Sequence, residues 1–158
     1  MRALLLLFLA SSASAGPVLV DRVVAIVDGE LVFQSRVERR VALQQGPKDA
    51  RRARAELIDE LLIAKDAHTT PSEDEVDRAL ETIIKDNQID RPRLEAELKR
   101  QGLSLPEYRG QLRTQLLEMR WLMMRADGAP LKTTEATTAL RERLLVSLRK
   151  RAVIEVFE

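Results

Sequence analysis

Cysteine is absent from all 158 residues. That excludes disulfides, thiol catalysis and a lipidated cysteine anchor, so the fold must hold without crosslinks. Aromatic residues make up only 3%, and histidine occurs once, at His68. Aliphatic side chains must therefore supply most of the core, and a histidine-based metal or catalytic cluster has no second member. Net charge is missing as well, since 26 basic residues stand against 25 acidic ones. A charge-rich chain without net sign is not built as a polyanion binder, and nucleic acid is not an expected partner. The sequence has no phosphate-cradling glycine loop, nucleophile elbow or zinc spacing, so no cofactor is expected.

The one long apolar run lies at residues 3–10, behind Arg2. It is too short to span a bilayer and is followed by the small-residue site Ala13-Ser14-Ala15. The pattern predicts an export signal over residues 1–15, cut between Ala15 and Gly16, rather than a buried N-terminal helix. No later segment is apolar enough for stable membrane insertion. Removing residues 1–15 leaves 143 residues and brings the formal net charge from +1 to zero. That length suits one domain, expected over residues 16–158.

The remaining sequence is closely punctuated. The run Val23-Val24-Ala25-Ile26-Val27 reads as a strand covered on both faces. Asp28-Gly29 is a two-residue hairpin signal, and Leu31 to Phe33 returns as a second strand. Ser35 with Glu38 has capping-box spacing for a first helix ending near Gly46-Pro47. A second helix is expected over 49–68, with Ala53, Leu57, Leu61 and Ala64 on one face. Ser72 with Glu75 caps a third helix carrying Val76, Leu80, Ile83 and Ile84. Asp90 caps a short fourth helix that Gly102 ends. Ser104 with Glu107 opens the longest helix, running to about Arg125. Its apolar stripe is expected at Leu105, Tyr108, Leu112, Leu116, Met119, Leu122 and Met123. A last helix starts at Thr133 or Thr134, and residues 152–157, AVIEVF, form a third strand.

A hairpin this short is marginal alone. The last strand also needs a partner, so the N-terminal hairpin and the C-terminal strand are expected to share one sheet, with residues 22–27 at its centre. The fold class is thus mainly α with a small antiparallel β-sheet.

Residues 20–38, VDRVVAIVDGELVFQSRVE, resemble the opening of the SurA-type periplasmic chaperones. The resemblance continues through ELIDELLIAKDAH at 56–68, TPSEDEVDRALETIIKDNQID at 70–90 and LEAELKRQGLSLPEYRGQLRTQLLEMR at 94–120. It implies the helical chaperone core of that family, akin to the C-terminal domain of trigger factor. It also implies periplasmic unfolded polypeptides, outer-membrane proteins among them, as clients bound without ATP. Relatives usually carry parvulin-type prolyl isomerase modules between the long helix and the C-terminal segment. Here residues 126–132 occupy that interval, so the resemblance implies the chaperone core without the enzyme.

Candidate sites are few. His68 falls at a helix end and suits a surface position there better than a ligand role. Asp59, Glu60 and Asp66 lack a cysteine or second histidine for a metal. The basic residues Arg51, Arg52, Arg54, Arg141, Arg143, Arg149, Lys150 and Arg151 read as solvated helix faces, with lipid headgroups or acidic clients as the other reading. Met119, Trp121, Met123 and Met124 form the best candidate binding surface, because methionine adapts to varied apolar partners. Met119 and Met123 share the expected core stripe. Tyr108, Trp121 and Met124 are therefore the expected client contacts, although all could instead pack on the last helix. A dedicated subunit binding one fixed envelope partner is the alternative function. Helices that cradle a client can also exchange between two copies, so a homodimer is compatible with the sequence.

Overall fold

The computed structural model describes residues 21–44, 46–126 and 133–157. The expected export signal with its Ala15–Gly16 cut, and the interval after Ala126, lie outside the described residues.

Strands β1 (Val23–Val27), β2 (Glu30–Phe33) and β3 (Ile154–Val156) form one antiparallel sheet in the order β2-β1-β3. The hairpin and the C-terminal strand therefore do share a sheet, and β1 is its centre. Asp28 and Gly29 both take positive φ, 47° and 89°, as a type I′ turn requires. Asp28 also joins β3 to the turn. Its amide donates to the Val153 carbonyl at 2.8 Å, and its Oδ1 accepts the Val153 amide at 2.7 Å. Lys65 Nζ donates to the Asp28 carbonyl at 2.9 Å. An aspartate in this turn thus does what an asparagine or glycine could not do as well: it holds the far strand with a charged acceptor.

Six α-helices lie among the described residues: α1 (Gln34–Leu43), α2 (Ala50–Ala67), α3 (Glu73–Asp86), α4 (Arg91–Arg100), α5 (Leu105–Arg125) and α6 (Thr134–Arg151). Asp49, Ser72, Asp90, Ser104 and Thr133 cap α2 to α6 through side-chain oxygens, and Ser72–Glu75 and Ser104–Glu107 are complete capping boxes. The expected Ser35–Glu38 box on α1 does not form. Strand β2 runs into α1 without a loop, so the N-cap is Phe33, which offers no side-chain acceptor. Ser35 already lies in the first turn, and both its amide and its hydroxyl donate to Asp21 from the entry to β1. That hydrogen bonding from Ser35 holds the Asp21 carboxyl below its ordinary range.

Two apolar clusters form the interior. The first joins the sheet, α1, α2, the C-terminal half of α5 and α6 through Val27, Val32, Leu57, Leu62, Trp121 and Leu148. The second joins α3, α4 and the N-terminal half of α5 through Val76, Leu80, Leu94, Leu98 and Leu112. Helix α2 is packed by α1, α5, α6 and the sheet. Its buried set is accordingly wider than a single stripe: Ile63 and Ala67 are buried, whereas Ala64, expected inward, is exposed.

Four of the five basic residues of α6, Arg143, Arg149, Lys150 and Arg151, are exposed, as expected of a solvated face, but three of the five also engage acids of neighbouring helices. Arg149 pairs with buried Asp59 of α2 at 2.7 Å, Arg141 with Glu118 of α5 at 2.5 Å, and Arg151 approaches Asp66 of α2 at 3.8 Å. Burial pushes the Asp59 carboxyl up, and Arg149 opposes that shift.

Candidate functional site

Helix α5 spans 21 residues, about 30 Å at 1.5 Å per residue, and contributes to both clusters. Its start is fixed twice over. Glu107 closes the capping box with one oxygen, accepting from Ser104, and takes Arg39 of α1 on the other. The α3 start repeats the device, with Glu75 accepting from Ser72 on one oxygen and from Arg120 of α5 on the other. Arg109 bridges Glu73 and Asp77, and Arg113 also reaches Glu73. Hydrogen bonds from these partners hold Glu73, Glu75 and Asp77 below the usual carboxylate range, and the paired carboxylates raise Arg109.

Between these anchors the apolar stripe of α5 divides. Tyr108, Leu112 and Leu116 pack into the α3–α4 cluster. Met119 and Met123 continue the same stripe at three- and four-residue spacing, but they lie beyond that cluster, 50% and 64% exposed. Burial in the C-terminal half keeps Leu122 but shifts otherwise to Trp121 and the C-cap Ala126, with Leu117 half-buried, in the cluster that holds α2, α6 and the sheet.

The sequence expectation for this surface is therefore inverted at three residues. Trp121 is fully buried, and its Nε1 donates to Asp66 at 2.8 Å, so it is a core residue that only borders the floor of a depression at the α2–α6 seam and is not an exposed client contact. Met119 and Met123 are outside, not in the core. A single 3.6-residue stripe assumes one packing partner along the helix, and α5 has two in different directions. Met124 is 53% exposed, as expected. Tyr108 is half-buried in the α3–α4 cluster. Nothing in the periodicity marked Asp66 as the tryptophan's partner. The only hint was that a buried indole N–H needs an acceptor.

The exposed methionines sit among charges that are already paired, Arg120 with Glu75 and Glu118 with Arg141. The patch is apolar and flexible with a locally neutral rim, chemistry that suits an apolar partner of variable shape. Two shallow depressions of about 210 and 270 Å³ share Asp66, Leu148 and Arg151 at the α2–α6 seam. Both are smaller than an ordinary ligand pocket of about 300 Å³ or more. Asp66 is already engaged there by Trp121 and by Arg125 at 2.5 Å. His68 is the exposed, left-handed C-cap of α2, with φ 52°. Among the described residues there is no acidic, histidine or cysteine group of three that could hold a metal, and no helix is long and apolar enough to cross a membrane.

No protein-family profile matches the chain. It is 29% identical over 124 residues to the proteins described as Chaperone SurA in Sodalis glossinidius and Pectobacterium atrosepticum. Those alignments cover 68% of this chain and 28% of each relative. The chain thus spans little more than a quarter of the length of the curated relatives it matches. A solved structure from Campylobacter jejuni, described with its counterpart as two structurally related SurA-like chaperones, superposes with a TM-score of 0.52 at 19% identity. The match covers 68% of this chain and 43% of that one and shows a shared fold. The similarity to SurA-type chaperones read from segments between residues 20 and 120 is thus met by similarity in sequence and in fold.

Proposed function

We propose that this chain is a non-enzymatic, ATP-independent chaperone core that holds unfolded exported polypeptides, outer-membrane proteins among them, in the periplasm. Residues 1–15 act as the removed export signal, and residues 16–158 act as one unit. Residues 126–132 stand where larger SurA-type proteins carry isomerase modules. The similarity to chaperones supports the class of function. The observation that carries the reading is the α5 stripe, which leaves the α3–α4 cluster at Leu116 and continues, uncovered, through Met119 and Met123.

The mechanism needs no residue chemistry. An apolar client segment continues the packing that α3 and α4 provide for the first half of the stripe, with Met124 at its side. Fully burying a methionine stabilises by about 1.5–3 kcal/mol, so three half-exposed ones offer roughly 3 kcal/mol before the costs of association. On the affinity scale, where about 4 kcal/mol corresponds to a millimolar Kd, such a patch binds weakly and releases readily.

Light scattering of a denatured β-barrel protein, diluted with and without the chain, tests this. Several-fold molar excess of the chain delays aggregation if the reading holds, and no delay contradicts it. A single stoichiometric partner on co-purification from the native envelope would favour a dedicated interaction subunit. Turnover in a proline-peptide isomerisation assay would overturn the non-enzymatic assignment.

A further inference from the structure

The exposed large apolar side chains concentrate in two places: the α5 methionines, and Val153, Val156 and Phe157 around β3. The second group has a property the first lacks. Among the described residues, strand β3 lies at the edge of the sheet, and its hydrogen-bonding phase toward β1 is fixed. Asp28 donates to Val153, and the Phe157 amide donates to the Val24 carbonyl at 3.0 Å. Ile26 pairs with Glu155 in the same register. Alternation then turns the amides and carbonyls of Ile154 and Val156 away from β1, toward the open edge.

Such an edge accepts an extended chain through its backbone, whatever the side chains. A second copy of β3 is a poor occupant. The antiparallel register that uses all four outward groups centres on Glu155 and sets it against its own image, two like charges at the close, non-hydrogen-bonded position. Glu155 shares a sheet face with exposed Val153 and Phe157. An incoming strand therefore fits best with apolar residues opposite those two and a basic residue between them.

We propose that the outer edge of β3 is a second docking site, which takes an extended polypeptide segment of the pattern apolar–x–basic–x–apolar as an added antiparallel strand. This rests on the client-binding reading and adds backbone hydrogen bonds to a methionine patch that is weak alone. It also explains why varied sequences could be held, since the added bonds are made by the main chain.

The probe is the peptide Thr-Val-Thr-Lys-Thr-Val-Thr, titrated into the full isotope-labelled chain and followed by amide chemical shifts. The expected result is saturable shifts centred on Ile154 and Val156. N-methylation of the two threonines flanking the lysine weakens binding at least tenfold, whereas N-methylation of the two valines does not. Glu155→Lys reverses the preference, so that the same peptide with a central glutamate binds better. Val156→Pro, which removes an outward N–H at an edge position that tolerates proline, also weakens binding. The peptide experiments on the unaltered chain stand even if that variant unfolds. Equal binding of both N-methylated peptides overturns the inference, as does the absence of shifts at β3, or a β3-paired dimer that the peptide cannot displace. If the chain suppresses aggregation while this peptide fails to bind, the edge site falls and the chaperone reading stands. If the peptide binds but aggregation is not delayed, the chaperone reading falls, and with it the client role given to the edge.

Discussion

At the scale of single residues, burial and polar satisfaction separate the side chains that hold the fold from those free to bind. Trp121 is the largest fully buried side chain, and its indole N–H is satisfied by Asp66. Trp121→Phe keeps much of the packing but leaves Asp66 short of a donor, and should cost about 1–3 kcal/mol. Trp121→Ala should cost about 3–5 kcal/mol. Met123→Glu should change stability by less than about 0.5 kcal/mol while clearly weakening aggregation suppression. Denaturant melts and light scattering on the same variants separate the two effects, and a destabilised but fully active Met123→Glu would contradict the assignment. Asp59 behaves differently. Its folded pKa is raised by burial, so the stability it contributes is present at low pH and declines as pH rises through that raised value. Arg149 offsets this at neutral pH. Arg149→Met should therefore cost about 2 kcal/mol, less than a fully buried pair because Arg149 is half-exposed. Asp59→Asn should cost less than Arg149→Met, because it leaves no buried charge uncompensated. At this scale the sequence showed residue types but not partners. Trp121 and Met124 looked alike as off-stripe apolar residues, and only the position of α2 tells them apart.

At the scale of elements, the local signals were mostly legible. The caps at Asp49, Ser72, Asp90, Ser104 and Thr133 form because each places a side-chain acceptor just before the first free amides of a helix. The α1 start departs from the local rule because Asp21 supplies the acceptor from 14 residues away. The ion pairs between α3 and α5 were equally invisible, since the positive end of α3 alone accounts for acids at Glu73 and Glu75, and nothing local to Asp77 points to Arg109. Their depressed pKa values give the seam a pH dependence. A carboxylate held low in the folded state contributes stability that is present above its unfolded value and lost as pH falls through the folded one. Thermal melts from pH 7 to pH 3 should show progressive acid destabilisation. Arg109→Gln should flatten that loss, because Glu73 and Asp77 lose the guanidinium they share. Equal acid slopes for the two proteins would contradict the seam's role.

At the scale of the whole molecule, the sheet closes the fold. That topology was legible because only one hairpin was available to pair with the C-terminal strand. The division into two clusters was not, because it depends on α5 changing partners along its length. Asp28 concentrates the closure in one side chain that touches Val153, while its carbonyl takes Lys65. Asp28→Ala should lower stability by about 0.5–1.5 kcal/mol through the lost hydrogen bond to the exposed Val153 amide, and deletion of residues 152–158 should cost considerably more. A tail that can be removed without a change in melting temperature would refute the closure. On the proposed function, the uncovered end of the α5 stripe receives unfolded chains. The most direct test is photo-crosslinking of a denatured β-barrel protein to the full chain, with the reactive group placed in turn at each exposed helical position and the products mapped by residue. Crosslinks should concentrate at Met119, Met123 and Met124 and be sparse on the outer faces of α2 and α4. A uniform distribution, or none at the three methionines, would contradict it.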